Sequence, residues 1–156
     1  MIECRKMTNA SLPEAFELLK TFLTEDEHYI DSRQAYGGGG STALQRALEL
    51  FLCRSELGFI WMTYDGKDAI GVCVVCFAIS TSVGTMVAKL DDVFVRSNTR
   101  RKGVGSTLLM TLKIELRQMG VRRMDTGVHH KNASARRFYE KNGFVPLNEE
   151  RLACVI

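Results

Sequence analysis

The sequence lacks any long apolar run and carries almost no net charge. A membrane-spanning helix needs about 20 apolar residues in succession, and no stretch of the 156 residues approaches that length. The formal net charge is +3, so the chain is not the strongly basic polyelectrolyte expected of a nucleic-acid-binding module. The first residues do not read as a signal peptide, and five cysteines, an odd number, do not make a disulfide framework. We therefore expect a cytoplasmic protein with reduced thiols, and neither a membrane nor a nucleic acid as its partner.

Two common phosphate-binding signatures are also missing. The pattern of a glycine, four residues and then Gly-Lys-Ser/Thr occurs nowhere, which argues against a P-loop nucleotide site. The dinucleotide fingerprint needs a third glycine at the position where Leu108 stands. A phosphate ligand, if there is one, must be bound in another way.

Candidate metal ligands are few and badly placed. Cys73 and Cys76 have the spacing of a redox or zinc pair, but they lie in an apolar run with strand character. Residues three apart on a strand point to opposite faces, and zinc would need two further ligands. His129 and His130 are adjacent at a predicted strand end and should diverge, while His28 is distant in the sequence. We expect buried structural cysteines and no metal site.

The order of apolar patterns predicts one α+β domain spanning residues 1–156. Composition is ordinary for a globular protein, with 46% hydrophobic and 25% charged residues. Capping boxes at Ser11–Glu14 and Thr42–Gln45 predict two early helices, separated by a mobile loop with four consecutive glycines. A hairpin turn at Asp65–Gly66 opens an antiparallel meander. The predicted strands are 2–7, 59–64, 68–80, 86–95, 124–128, 144–145 and 152–156, and the predicted helices are 11–25, 42–51, 106–119 and 132–142.

One stretch of the second half combines a strand, a basic turn and a helix start. The strand residues 93–95 lead into three consecutive basic residues at 100–102, followed by Gly103, Gly105 and the helical pattern of 106–119. The first turn of a helix presents unpaired backbone N–H groups and the positive end of the helix dipole. With the added positive charge, this turn predicts an anion site, most naturally for a phosphate group.

Two motifs in this half resemble those of the GNAT family of N-acetyltransferases. The first is Arg100-x-x-Gly103-x-Gly105. The second begins about thirty residues later and reads Asn132-x-x-Ala-x-x-Phe-Tyr139-x-x-x-Gly-Phe144. They occur in the family's order, separated by one helix and one strand. The resemblance covers residues 2–156, although the first half matches only in the order of its elements.

The resemblance implies a fold and an activity. The fold would be α+β, a mixed and mainly antiparallel sheet with a parallel, splayed central strand pair and helices on both faces. The activity would be direct transfer of acetyl from acetyl-CoA to a primary amine of a small-molecule or peptide acceptor. A non-catalytic coenzyme A sensor on the same fold is the alternative. The acceptor and the oligomeric state stay open, with a homodimer as one option.

The resemblance also implies roles for individual residues. The backbone of Val93 and Val95 would pair with the pantetheine arm, Asn132 would contact the cofactor, and Tyr139 would act as general acid. The chemistry supports the last role, because the departing thiolate has a conjugate acid with a pKa of about 8.5 and a tyrosine hydroxyl can protonate it. The alternative for Tyr139 is a core aromatic residue. The residues implied for the pyrophosphate are Arg100, Arg101, Lys102, Gly103, Val104, Gly105 and Ser106.

The general base is the least defined role. Some family members carry a catalytic Glu at the position of Lys89, so this sequence departs from them. Asp91 and Asp92 precede Val93, and alternation along a strand would place Asp92 on one face with Leu90 and Phe94. We favour Asp92 as the base, against a carboxylate bonded to a neighbouring loop or a relay of water molecules.

The family's acceptor site lies between the first two helices and the C-terminal strands. Here that region holds the acidic stretch Glu25–Tyr29 and the glycines 37–40. An acidic rim would suit a cationic amine. The alternative is a solvated helix end followed by a linker.

Overall fold

The computed structural model describes all 156 residues, and its elements follow the predicted order, except that a short helix at Glu27–Ser32 was not predicted and the two predicted closing strands are absent. Apolar runs form the strands, and segments with a one-sided apolar pattern form the longer helices. The strands are β1 (Ile2–Lys6), β2 (Gly58–Asp65), β3 (Asp68–Ser80), β4 (Thr85–Val95) and β5 (Met124–Thr126). The helices are α1 (Leu12–Glu25), α2 (Glu27–Ser32), α3 (Gly40–Cys53), α4 (Val104–Gln118) and α5 (Ala133–Lys141). None of these helices has the length and apolarity that crossing a membrane requires.

The five strands form one sheet in the order β1-β2-β3-β4-β5. The first four are antiparallel neighbours, which confirms the predicted meander. Helix α4 crosses over so that β5 runs parallel to β4, as predicted. This parallel pair is short, because only residues 88–90 of β4 pair with residues 124–126. From Asp91 onward, the edge of β4 that faces β5 is therefore open.

Helices cover both faces of the sheet, and each face has its own core. One core joins α1 and α3 to the sheet through Leu18, Leu19, Leu44 and Leu48. The other core joins α4 and α5 to the opposite face. Burial on both sides explains why β2 is apolar almost throughout instead of alternating. As predicted, Cys73 and Cys76 point to opposite faces.

A β-bulge interrupts β4 where the parallel pairing ends. Val72 pairs with Phe94 but Val74 pairs with Asp91, so β4 carries one extra residue between these pairs. Asp92 lies in the bulge with a φ of 22°. Because of the extra residue, Leu90 and Phe94 pack into different cores. The prediction that both share one face with Asp92 is wrong for this reason.

Neither predicted capping box forms. Ser11 is the N-cap residue of α1, as predicted, but its side chain makes no capping hydrogen bond to that helix, and the N-cap residue of α3 is Gly39. A capping box before α1 is formed by Thr8 and Ser11, around a short 3₁₀ turn. Glu14 does not cap, because its carboxylate accepts a hydrogen bond of 2.7 Å from the Tyr64 hydroxyl. Helix α3 begins at Gly40, two residues before the predicted cap Thr42. The hairpin turn is also one residue later, since Asp65 itself pairs with Asp68.

The last segment, residues 144–156, forms no regular structure. The predicted closing strands 144–145 and 152–156 are therefore wrong. Strand β5 is three residues long and offers little edge for a further strand. Arg151 turns instead toward the sheet, where its Nη1 donates to the Asp91 carboxylate at 3.3 Å.

Candidate active site

A cleft of about 530 Å³ opens where β4 and β5 part. One wall consists of residues from α1, α2 and the start of α3, and the other of the ends of β4 and β5 with the first turns of α5. Four of the predicted site residues line it together: Asp92, Val93, Asn132 and Tyr139. The basic turn and Val95 do not line this cleft.

Asp92 is the most perturbed carboxylate at the cleft. Burial at the bulge and, to a lesser extent, the adjacent negative charge of Asp91 raise its pKa to about 6. A carboxylate with a pKa near neutrality can take up a proton and release it again at physiological pH. Its buried position in the bulge therefore gives Asp92 a pKa that suits an acid–base role.

Tyr139 projects from α5 into the same cleft. Asn132 caps this helix, as predicted, by accepting a hydrogen bond of 3.0 Å from the backbone N–H of Ala135. The Tyr139 ring packs edge-on against Phe138 and Phe144, with centroids 5.2 Å away in both cases. Burial raises the pKa of the phenol, against a hydrogen bond with Thr126 that lowers it. Tyr139 is therefore held firmly and stays protonated at neutral pH.

The basic turn before α4 has the features of an anion site. Gly103 lies at the N-cap with a φ of 80°, a left-handed conformation that suits glycine. No backbone N–H from Arg101 to Ser106 has a backbone partner. Arg100 instead folds back, and its Nε donates to the Val95 carbonyl at 3.0 Å. That carbonyl is thus engaged within the protein, whereas Val93 lies on the open edge.

Gly105 is required by packing between the two motifs. A Cβ at this position would lie 3.1 Å from two atoms of the Phe138 ring and 3.9 Å from Val95. The missing side chain thus allows α5 to pack against the start of α4. It also means that a substituent would point at Phe138 instead of the phosphate turn.

These features fit coenzyme A. The free N–H groups and cationic side chains of residues 101–106 suit a pyrophosphate. The open edge of β4 beyond Leu90 offers backbone groups to an amide-containing arm. The cleft includes residues 91–93 of this open edge.

Comparison with known proteins identifies the family. The model of the acetyltransferase (GNAT) family matches residues 15–144. The chain belongs to the GNAT acetyltransferase family. This confirms the resemblance found in the sequence, and the matched segment contains both motifs.

Solved structures share the whole fold of this GNAT protein. A possible acetyltransferase from Clostridium difficile 630 superposes with a TM-score of 0.82 at 15% identity, covering 100% of this chain and 98% of that one. A predicted acetyltransferase from Clostridium acetobutylicum, solved with acetyl-CoA, gives 0.74 at 17% identity over 97% and 94%. AAC(6')-Iy, in complex with the bisubstrate analog CoA-S-monomethyl-acetylneamine, gives 0.74 at 18% identity over 99% of both chains.

The acceptor side of the GNAT cleft agrees in part with the sequence analysis. Asp26, His28 and Tyr29 line it, together with the glycines 38–40. Glu25 and Glu27 do not line it. Three of the four consecutive glycines have positive φ, so a backbone requirement explains a run that the sequence analysis read only as a mobile loop.

The three histidines lie together, contrary to the prediction. The rings of His129 and His130 are stacked with centroids 4.5 Å apart, and the His28 ring lies 5.0 Å from that of His129. The chain bends after β5 ends at Thr126, so strand alternation does not apply to these two neighbours. No group of histidine, cysteine or acidic side chains has the arrangement of a metal site.

Among the polar residues of the cleft, Thr126, His129 and Arg151 were not predicted to lie there. Thr126 and His129 follow directly from the parallel pair, since the ends of neighbouring parallel strands meet at one edge of a sheet. That rule, applied to the predicted strand 124–128, is the signal that would have found them. Arg151 lies in residues 144–156, which form no regular structure, and no local sequence pattern predicts that it lines the cleft.

Proposed function

We propose that this protein is an N-acetyltransferase that moves acetyl from acetyl-CoA directly to a primary amine. The observation that carries the proposal is the placement of Asp92 and Tyr139 on one cleft, at the open edge of β4. One residue is suited to accepting a proton and the other to donating one. A coenzyme A sensor would need neither, so this pair favours the enzyme over the sensor.

Acetyl-CoA would supply the activated acetyl group. Its pyrophosphate would bind residues 101–106, with Arg100 bracing the end of β4. Its pantetheine arm would lie along the open edge at Val93, with Asn132 opposite. Backbone N–H groups at this edge would polarise the thioester carbonyl, as preorganised donors do in acyl transfer.

Three proton movements accompany the transfer. The acceptor arrives as an ammonium ion, and Asp92 takes one proton from it so that the nitrogen lone pair can attack. As the new C–N bond forms and the C–S bond breaks, Tyr139 gives its proton to the departing sulfur, and the nitrogen gives up its second proton to the Tyr139 phenolate. The products are an amide and a free thiol, Tyr139 is again protonated, and Asp92 releases its proton to water.

The acceptor is a small-molecule or peptide amine that is cationic at neutral pH. Asp26, Asp91 and Asp92 give the cleft three carboxylates. A field of this sign attracts ammonium groups, more strongly in dilute salt. The complex of AAC(6')-Iy with the bisubstrate analog CoA-S-monomethyl-acetylneamine supports an amine acceptor for this fold. The cytoplasmic location and the homodimer stay predictions.

A screen of amines tests the proposal. The purified protein is mixed with acetyl-CoA and, separately, 1,4-diaminobutane, neamine, glucosamine and a lysine-containing peptide, while free thiol is measured. We expect thiol release that depends on the amine and an acetylated product by mass spectrometry. Binding of coenzyme A without acetylation of any amine would support the sensor instead.

A further inference from the structure

Helix α2 lies along the acceptor side of the cleft and contributes no buried residue to either core. It has six residues, Glu27–Ser32, and none of them is buried. Its first turn is fixed to α1 by Asp26, whose Oδ1 accepts from the Tyr29 backbone N–H at 2.9 Å. So short a helix is not stable by itself in water. Other contacts must hold its second half against the rest of the protein.

Tyr29 packs against Phe22 and Tyr36, and the hydrogen bond to the last turn comes from His129, 98 residues further along the chain. Its Nε2 lies 2.9 Å from Oδ2 of Asp31, on the last turn of α2. Its ring also packs against His28, on the first turn. The His129 side chain is 13% exposed, so it is largely enclosed, whereas that of Asp31 is 61% exposed. One enclosed ring therefore contacts both turns of α2.

The loop fixes both the orientation and the tautomer of this ring. The backbone N–H of Lys131 donates to its Nδ1 at 3.2 Å. A backbone N–H has no lone pair, so Nδ1 must be the accepting nitrogen, and the proton of the neutral ring lies on Nε2. The His129 carbonyl accepts from the N–H of Asn132 at 2.8 Å. The remaining donor, Nε2–H, points at Asp31.

We propose that His129 is a positioning residue, whose hydrogen bond to Asp31 holds α2 over the acceptor side and thereby sets acceptor affinity. This rests on the proposed acetyl transfer. The bond joins the wall that meets the acceptor to the loop that leads into Asn132 and α5. The lowered pKa of Asp31, caused first by its hydrogen bond with His129, agrees with this geometry. His129 need not touch either substrate, so its effect falls on acceptor binding.

Asp31 offers the cleaner substitutions, because its side chain is exposed and makes no other hydrogen bond. In Asp31→Ala the bond is lost, whereas Asp31→Asn keeps an oxygen that accepts from Nε2–H. Glu27→Ala is the matched control: it removes a carboxylate from the same helix, and its only ion pair is with His28 at 3.6 Å. Alanine favours helix more than aspartate does, so any loosening of α2 in Asp31→Ala cannot come from helix propensity.

Amide hydrogen exchange measures the attachment directly, with no substrate present. In Asp31→Ala we expect the amides of residues 29–32 to exchange about three to five times faster, the effect of one partly exposed hydrogen bond. Asp31→Asn should exchange close to the wild-type rate. Exchange that is equally slow in Asp31→Ala would overturn the proposal.

Kinetics then separate positioning from a structural role. With the best amine of the screen, Asp31→Ala should raise the acceptor KM about three- to fivefold. The KM for acetyl-CoA and kcat should stay near wild type, and Asp31→Asn should restore the acceptor KM. Faster exchange with an unchanged acceptor KM would overturn the positioning role. If the wild type acetylates no amine, the proposed function fails and acceptor positioning fails with it, while exchange still shows whether His129 holds α2.

Discussion

Replacing Asp92 by Asn should lower the activity and raise the stability of the same molecule. The substitution keeps the shape of the side chain and removes its ability to take up a proton. If Asp92 accepts the ammonium proton, kcat/KM should fall by about 10²- to 10⁴-fold. The loss should be largest near neutral pH, where the wild-type carboxylate is ionised.

The pH dependence of the wild type follows from the pKa of Asp92. With a pKa of about 6, kcat/KM should rise about tenfold per pH unit below that value and level off above it. Asp92→Asn should lack this rising limb. Asp91→Asn is the matched control, because it keeps the base but removes a charge that raises the Asp92 pKa. Its rising limb should remain and shift to lower pH.

Asp92→Asn should be more stable than the wild type, although it is less active. The pKa of Asp92 rises from an ordinary 3.8 to about 6 in the folded protein. Between these values the folded state binds more protons than the unfolded state, so the free energy of unfolding decreases as pH rises. Above pH 6 the full penalty, up to about 3 kcal/mol, is present. Asp92→Asn avoids it, so its Tm at pH 7 should exceed that of the wild type by up to about 6–12 °C.

Two measurements check this reasoning. Thiol release from pH 5 to 8 gives the rate profile, and thermal unfolding at pH 4 and pH 7 gives the stability difference, which should nearly vanish at pH 4. A variant that keeps the rising limb would show that another group is the base. A variant that is less stable at pH 7 would show that the ionised carboxylate has a stabilising partner at the bulge.

Substitutions at three further positions address the other roles. Tyr139→Phe keeps the packing of the ring, so coenzyme A affinity by calorimetry should be unchanged while turnover falls about 10²-fold; wild-type turnover would make the residue structural. Arg101→Ala should weaken coenzyme A binding about tenfold at an unchanged Tm, through the loss of one charge-assisted contact. Gly105→Gln and Gly105→Glu should both lower stability by about 1–3 kcal/mol, since either side chain meets the Phe138 ring. If only Gly105→Glu were impaired, the cause would instead be repulsion between its carboxylate and the phosphates of coenzyme A.

The starts of α4 and α5 were predictable because their signals are local. A glycine with positive φ at the start of α4 and an asparagine cap before α5 are set by neighbouring residues, and both are present in the structure. The bulge at Asp92 is different. It arises from the register of β4 against β3, which strand alternation within β4 does not contain. The predicted capping role of Glu14 also fails because of a long-range contact. The Glu14 carboxylate instead accepts a hydrogen bond from Tyr64, fifty residues away.

The acceptor side was predicted in position but not in detail. Both the acidic stretch and the glycines proved to border the cleft, yet Glu25 and Glu27 point elsewhere. The identity of the residues that meet an acceptor depends on how α2 lies, and this depends on His129. No periodic pattern in residues 25–41 carries that information.

The two separate cores bear on how such a protein can diverge. Helices α1 and α3, which border the proposed acceptor side, are anchored in one core, and α4 and Tyr139 in the other. Substitutions that reshape the first core leave the packing of the second largely undisturbed, because distant sites are nearly additive. A lineage can therefore change its acceptor while keeping its cofactor. For an engineer, the same separation makes residues 12–53 the segment to randomise and residues 93–144 the segment to leave alone.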